Sequence, residues 1–154
     1  AYIEAGCGQI GRLHFARYLV RIGAASTIQQ AFKRYLGKGK VGDIGACWAS
    51  MQSVINCILE AGGIAILAHP AKYGLTRTKL NLLISDFKSF NGKAIEVISG
   101  RQDQNLTHEL ASLANKHRLF ASCGSDFHSP DVPWSGLGQV EKLPTGCSPV
   151  WENW

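Results

Sequence analysis

No stretch of this 154-residue chain approaches the about 20 consecutive apolar residues needed to cross a bilayer, which excludes a membrane-spanning helix. Ala1-Tyr2-Ile3-Glu4-Ala5 lacks the basic start and apolar segment of a signal peptide. There is no initiator methionine, so a processed product or an excised piece is expected. A paired cysteine pattern is missing: Cys7, Cys47, Cys57, Cys123 and Cys147 are odd in number, widely spaced and contain no C-x-x-C. That argues against a zinc knuckle or a disulfide framework and for the reduced thiols of a cytoplasmic protein. Internal repeats and low-complexity tracts are also missing.

What is present reads as a globular chain. Hydrophobic residues make up 45% and charged residues 18%, at a length that supports one domain with a real core, or one core plus a small appendage. The net charge of +5 favours anionic partners such as nucleotides, RNA or phosphate esters.

Two textures follow along the chain. Residues from about 11 to 61 read as helical. Leu13, Ala16, Leu19 and Val20 share a helical face, with Gly23 as the stop. Ser26 or Thr27 caps a second helix through Ile28, Ala31, Phe32, Tyr35 and Leu36, and Gly37 to Gly42 is a basic, glycine-rich loop. Ser50 caps a third helix that turns Met51, Val54, Ile55, Ile58 and Leu59 inward and ends at Gly62-Gly63. From residue 64 onward strands and helices alternate. Strands are expected over 64–68, 94–98 and 119–123, with helices over about 76–90 and 104–117. Near-continuous apolar strands separated by helices imply a parallel sheet in an α/β fold. The tail from Ser129 is rich in Pro, Gly and Trp, with Val150-Trp151 as a short strand or lid.

In parallel α/β folds, chemistry collects at the carboxyl ends of the strands. His69 follows the first strand, Ile98 to Gln102 the second, and Ser125-Asp126-Phe127-His128 the third. In an extended segment Asp126 and His128 would face the same side. A carboxylate with imidazoles suits Mn, Fe or Zn better than Ca. Phosphate hydrolysis uses such metals to make hydroxide near neutral pH and to stabilise charge on the phosphoryl oxygens. Glu96 lies among apolar strand residues, where two roles stay open: facing the metals, or pairing with a buried base.

Ala68-His69-Pro70 and Gly124-Ser125-Asp126-Phe127-His128 resemble the last two metal motifs of the PHP (polymerase and histidinol phosphatase) domain. Gly11-Arg12-Leu13-His14-Phe15-Ala16-Arg17, Tyr35-Leu36, Lys38-Gly39-Lys40 and Ala61-Gly62-Gly63 are similar to one branch of that family. It contains the 3′,5′-nucleoside bisphosphate phosphatases and related 5′→3′ exoribonucleases. The resemblance implies a distorted, TIM-like β/α barrel with a helical insert. Residues 1–50 would end the insert, and residues 51–154 would form the carboxyl-terminal half of the barrel. It further implies His69, Asp126 and His128 as metal ligands and catalytic residues in a multinuclear cluster of Mn, Fe, Zn or Mg. The family's remaining ligands include an H-x-H pair and a D-H motif, neither of which occurs in this sequence. The chain alone is therefore expected to be inactive. Asp43-Ile44-Gly45-Ala46 replaces a segment that usually reads aromatic-aliphatic-proline.

A bisphosphorylated nucleotide or a 5′-phosphorylated RNA end would need cationic partners. Arg12, His14, Arg17, Lys38, Lys40 and Arg101 are the candidates, with backbone N–H groups of the glycine-rich loop adding to phosphate binding. Lys72 and Tyr73 would reach the same rim as His69. His108 and His117 are expected to face solvent. Two other readings compete. One is a basic nucleotide- or RNA-binding module without catalysis. In the other, unpaired strand edges of half a barrel invite self-association.

Overall fold

The computed structural model describes residues 1–43, 48–128 and 136–153. The chain divides into two compact units, Ala1–Trp48 and Ala49–Trp154. Among the described residues no helix is long and apolar enough to cross a membrane.

The first unit is helical. A short helix α1 (Tyr2–Ala5) precedes α2 (Arg12–Arg21). Ala16, on the inner face of α2, is fully buried, and Gly23 adopts a positive φ just past the helix end. Thr27 accepts the Gln30 N–H and so caps α3 (Ile28–Ala31). The chain then widens into a π-helical turn, Phe32–Leu36, which the apolar periodicity alone does not reveal. Ala16, Ala25, Ala31 and Leu36 form a small core of their own, with Leu19, Val20, Ile28, Phe32 and Tyr35 packed against it.

The second unit opens with α4 (Met51–Glu60), whose cap Ser50 accepts the Ser53 N–H. Gly62 takes a positive φ, Gly63 N–H bonds to the Ile58 carbonyl and Gly62 N–H to that of Leu59. This is a Schellman stop, as the Gly-Gly pair implies. On the helix itself Ile55 is buried, but Val54 is exposed, contrary to the expected face.

Strand β1 (Ile66–Leu67) is followed by a 3-10 turn, Pro70–Tyr73, and by α5 (Arg77–Ser89), capped by Thr76. Next come β2 (Ala94–Ser99), α6 (Gln104–Lys116) capped by Asp103, and β3 (Phe120–Gly124). The three strands form a parallel sheet in the order β1-β2-β3, with Ile66 opposite Ala94 and Ala94 opposite Phe120. The expected α/β texture is present, although β1 keeps only two ladder residues. Beyond β3, Pro149 makes an isolated parallel bridge to Ala121 and a 3-10 turn follows over Val150–Asn153, in place of a strand or lid. Residues 129–135 of the Pro- and Trp-containing tail, and Ile44 to Ala46 of the divergent segment, lie outside the described residues.

Ile55, Ile84, Phe87, Ile95, Val97, Leu110 and Leu113 belong to one continuous core. Burying such side chains stabilises the fold by about 1.5–3 kcal/mol each before conformational entropy is counted. That core fixes β2, and with it the direction in which all three strand ends point.

Candidate metal and phosphate site

Parallel strands in sequence order bring three loops to one edge of the sheet: Ala68–Pro70 after β1, Gly100–Gln102 after β2 and Ser125–His128 after β3. Gly100, at φ 63°, makes their close approach possible. Its N–H donates to the Gly124 carbonyl at 2.7 Å, and a Cβ there would stand 3.1 Å from the Ser125 carbonyl oxygen.

His69 has left-handed backbone angles, φ 32° and ψ 54°. Pro70 disfavours the right-handed helical alternative for the residue before it. The His69 N–H donates to Glu96 Oε2 at 2.6 Å, and Tyr73 Oη donates to the Ala68 carbonyl at 2.7 Å. The Tyr73 ring stands edge-on to the imidazole, with centroids 5.9 Å apart. Among the described residues His69 Nδ1 is buried and has no hydrogen-bond partner.

Asp126 also has a positive φ, 49°. The segment is therefore not extended, and the expected same-side alternation with His128 does not apply; aspartate tolerates this conformation better than most residues. The two meet by another route. His128 Nδ1 lies 2.8 Å from the Asp126 carbonyl oxygen and 3.7 Å from Asp126 Oδ1. Since a carbonyl only accepts, Nδ1 carries a proton toward it, and Nε2 is the ring nitrogen left to face a ligand. Lys72 Nζ donates to Asp126 Oδ2. Burial pushes the Asp126 carboxyl up, but the Lys72 bond and charge, with His128 and His69, hold it below the usual range. Burial, then the Glu96 charge, pushes Tyr73 and Cys123 up.

The residues predicted to hold phosphate fall into two groups. Arg101 is exposed on the β2–α6 loop of the second unit. Next to it Gln102 braces that loop, donating to the Val97 carbonyl and to Thr107 Oγ1. Arg12, His14, Arg17, Lys38 and Lys40 belong to the first unit. Arg12 is exposed at the start of α2, and Arg17 is half-buried. His14 Nδ1 accepts the Gly11 N–H at 2.9 Å, so it closes the helix start and leaves only Nε2–H to face a ligand. Lys38 and Lys40 are exposed, but the Gly39 N–H already donates to Asp43 Oδ2 at 2.7 Å. A carboxylate of the chain thus occupies one amide that was expected to serve phosphate.

Two relatives align across almost the whole chain. A 5′-3′ exoribonuclease Rnm of Salmonella typhimurium is 43% identical over 150 residues, 97% of this chain and 51% of the relative. A 3′,5′-nucleoside bisphosphate phosphatase of Chromobacterium violaceum is 42% identical over 144 residues, 94% of this chain and 50% of the relative. The chain is a homologue of these enzymes. No family model matches it. A solved structure described as a Chromobacterium violaceum amidohydrolase with bound sulfate superposes with a TM-score of 0.83, at 42% identity over 94% of this chain and 50% of that one. Another, described as a metal-dependent phosphoesterase from Bifidobacterium adolescentis, gives 0.71 at 25% identity over 89% and 48%. The resemblance read from the motifs to bisphosphate phosphatases and exoribonucleases is therefore borne out. The chain spans about half the length of the curated relatives it matches.

As a metal centre, the rim supplies the right donor types in part. One carboxylate, one imidazole with a bare Nε2 and one imidazole with an unpartnered Nδ1 suit a borderline divalent cation. Among the described residues, however, no three His, Cys, Asp or Glu side chains gather closely enough to hold one. A lysine stands where Asp126 would meet a cation. Four described cysteines, Cys7, Cys57, Cys123 and Cys147, are free thiols, and Cys47 lies outside the described residues. Of the other histidines, His108 is exposed as expected. His117 is not: it is half-buried and its Nε2 lies 3.0 Å from Asn81 Oδ1, a contact across helices that helical periodicity does not show.

Proposed function

We propose that this chain carries part of the active site of a metal-dependent phosphoesterase that hydrolyses 3′,5′-nucleoside bisphosphates or the 5′ ends of short RNA. The observation that carries the reading is the placement of His69 and Asp126-x-His128 at the ends of strands in one parallel sheet, in a homologue of such enzymes. The ligands would be His69, Asp126 and His128. A divalent cation held there, Mn, Fe, Zn or Mg, would acidify water and draw charge from the phosphoryl oxygens. Lys72 helps hold Asp126 in the anionic form that a cation would need as a ligand. His128 is oriented by its own bond to the Asp126 carbonyl. Arg101 is the second unit's candidate for the substrate phosphate, while Arg12, His14, Arg17, Lys38 and Lys40 offer cationic and N–H donors on the first.

A multinuclear cluster needs more donors than the described residues gather, and the sequence holds neither an H-x-H pair nor a D-H motif. We therefore assign residues 51–154 to the carboxyl-terminal half of a β/α barrel and residues 1–50 to a helical insert, with activity requiring the groups that the relatives' other half would supply. In a protein with both halves, Asp126→Asn abolishes Mn-dependent phosphate release from adenosine 3′,5′-bisphosphate and from 5′-phosphorylated RNA; undiminished release overturns the assignment. The net charge of +5 supports a second reading, a basic nucleotide- or RNA-binding module without catalysis. Salt-sensitive RNA binding by the chain, with no Mn bound at any concentration tested, would select it.

A further inference from the structure

We infer that Glu96 is a positioning residue that fixes the backbone of the ligand-bearing loop at His69. The inference rests on the ligand roles proposed for His69 and Asp126. Glu96 is the one acidic side chain of β2, between Ile95 and Val97, which are both 0% exposed. A carboxylate in such a strand is costly unless it is hydrogen-bonded. Among the described residues of the second unit, no lysine, arginine or histidine side chain forms an ion pair with it. Its bond goes instead to the main chain of a proposed ligand: Oε2 accepts the His69 N–H at 2.6 Å across 27 residues of sequence.

That bond falls at the most constrained point of the rim. His69 has left-handed angles that an L-residue keeps only when its surroundings enforce them. The ring adds only its edge-on contact with Tyr73, because among the described residues Nδ1 has no hydrogen-bond partner. Backbone contacts on either side anchor it: Glu96 holds the His69 N–H, and Tyr73 holds the preceding carbonyl. The other Glu96 oxygen faces Gly124 at the end of β3. A Cβ added at Gly124 would stand 2.9 Å from Oε1, so the glycine that opens Gly124-Ser125-Asp126 leaves room for this carboxylate. One side chain thus binds the first motif and lies beside the root of the second, and Tyr73 and Cys123, raised by burial first, are raised further by its charge.

The test uses the isotopically labelled chain and Mn(II) as the probe. In Glu96→Ala the His69 amide is expected to exchange with solvent about tenfold faster or more. Ile95 and Val97 amides should hold their wild-type rates. Mn(II) broadening of His69 signals should weaken by a similar factor, and Glu96→Gln, whose carbonyl still accepts the N–H, should restore much of both. Unchanged His69 exchange in Glu96→Ala overturns the inference. So does equal acceleration at Ile95 and Val97, which marks a merely structural role, and so does a Gln variant no better than Ala. Should Glu96→Ala fail to fold, Glu96→Gln decides: the His69 amide proton must move upfield as its acceptor becomes neutral, and an unmoved signal refutes the contact. If wild type shows no Mn(II) broadening at all, the metal reading fails, while the exchange rates still decide whether Glu96 holds His69.

Discussion

Replacing His69 by glycine and, separately, by alanine gives a comparison whose sign is set by the backbone. Both variants lose the imidazole and its edge-on contact with Tyr73. They differ in what they tolerate at φ 32° and ψ 54°. An L-residue in this region costs about 1–2 kcal/mol, and glycine costs almost nothing. Against this, glycine gives the unfolded chain more freedom, worth about 0.4–1 kcal/mol. The balance leaves glycine the more stable variant by roughly 0.5–1 kcal/mol. At an ordinary helical or extended position the order reverses, with glycine worse by about 0.5–1 kcal/mol. Urea unfolding, followed through the Ile95 and Val97 amide signals that report the second unit, measures the difference as a shift of a few tenths molar in midpoint. Both variants should also lose Mn(II) binding at the rim. An alanine variant as stable as glycine, or more stable, refutes the strained backbone on which the account of this ligand depends.

Other outcomes follow from the same contacts. Lys72→Met removes the cation bound to Asp126. The Asp126 carboxyl should titrate higher than in wild type by carbon NMR, with less than about 1 kcal/mol lost in fold stability, because half of the lysine is exposed. Gly92→Ala would place a Cβ 2.3 Å from the buried Phe87 ring, so thermal unfolding should show a loss of about 1–3 kcal/mol. Burial first, then Lys116 and Lys88, lowers the His117 pKa. The unfolded chain therefore takes up a proton at a higher pH than the folded chain does. This contribution is complete above the ordinary histidine value and is lost as pH falls through the lowered one. Melting curves between pH 5 and 8 should show a shallower acid slope for His117→Gln than for wild type.

Much of the architecture was legible because it is written in local patterns. Thr27 and Ser50 cap the helices that follow them, and the Gly62-Gly63 stop has the geometry its sequence implies. The site was legible only to the level of which residues follow which strand. Asp126 and His69 depart from extended and helical backbone, and no spacing rule anticipates that two chemically important residues take left-handed conformations. The partners that define the rim are remote in sequence. Glu96 meets His69 across 27 residues and Lys72 meets Asp126 across 54, so local periodicity left the role of Glu96 open. His117 was misread for the same reason, since Asn81 approaches it from another helix. The short β1 is a further case: its apolar run is longer than its ladder, because only Ile66 and Leu67 find partners in β2.

The most direct test of the central claim is a Mn(II) titration of the labelled chain, read by paramagnetic broadening residue by residue. The account predicts that His69, Asp126 and His128 broaden first and together, and that Asp126→Asn removes the effect while the fold persists. Broadening centred elsewhere, or broadening at these residues that survives Asp126→Asn, would contradict it.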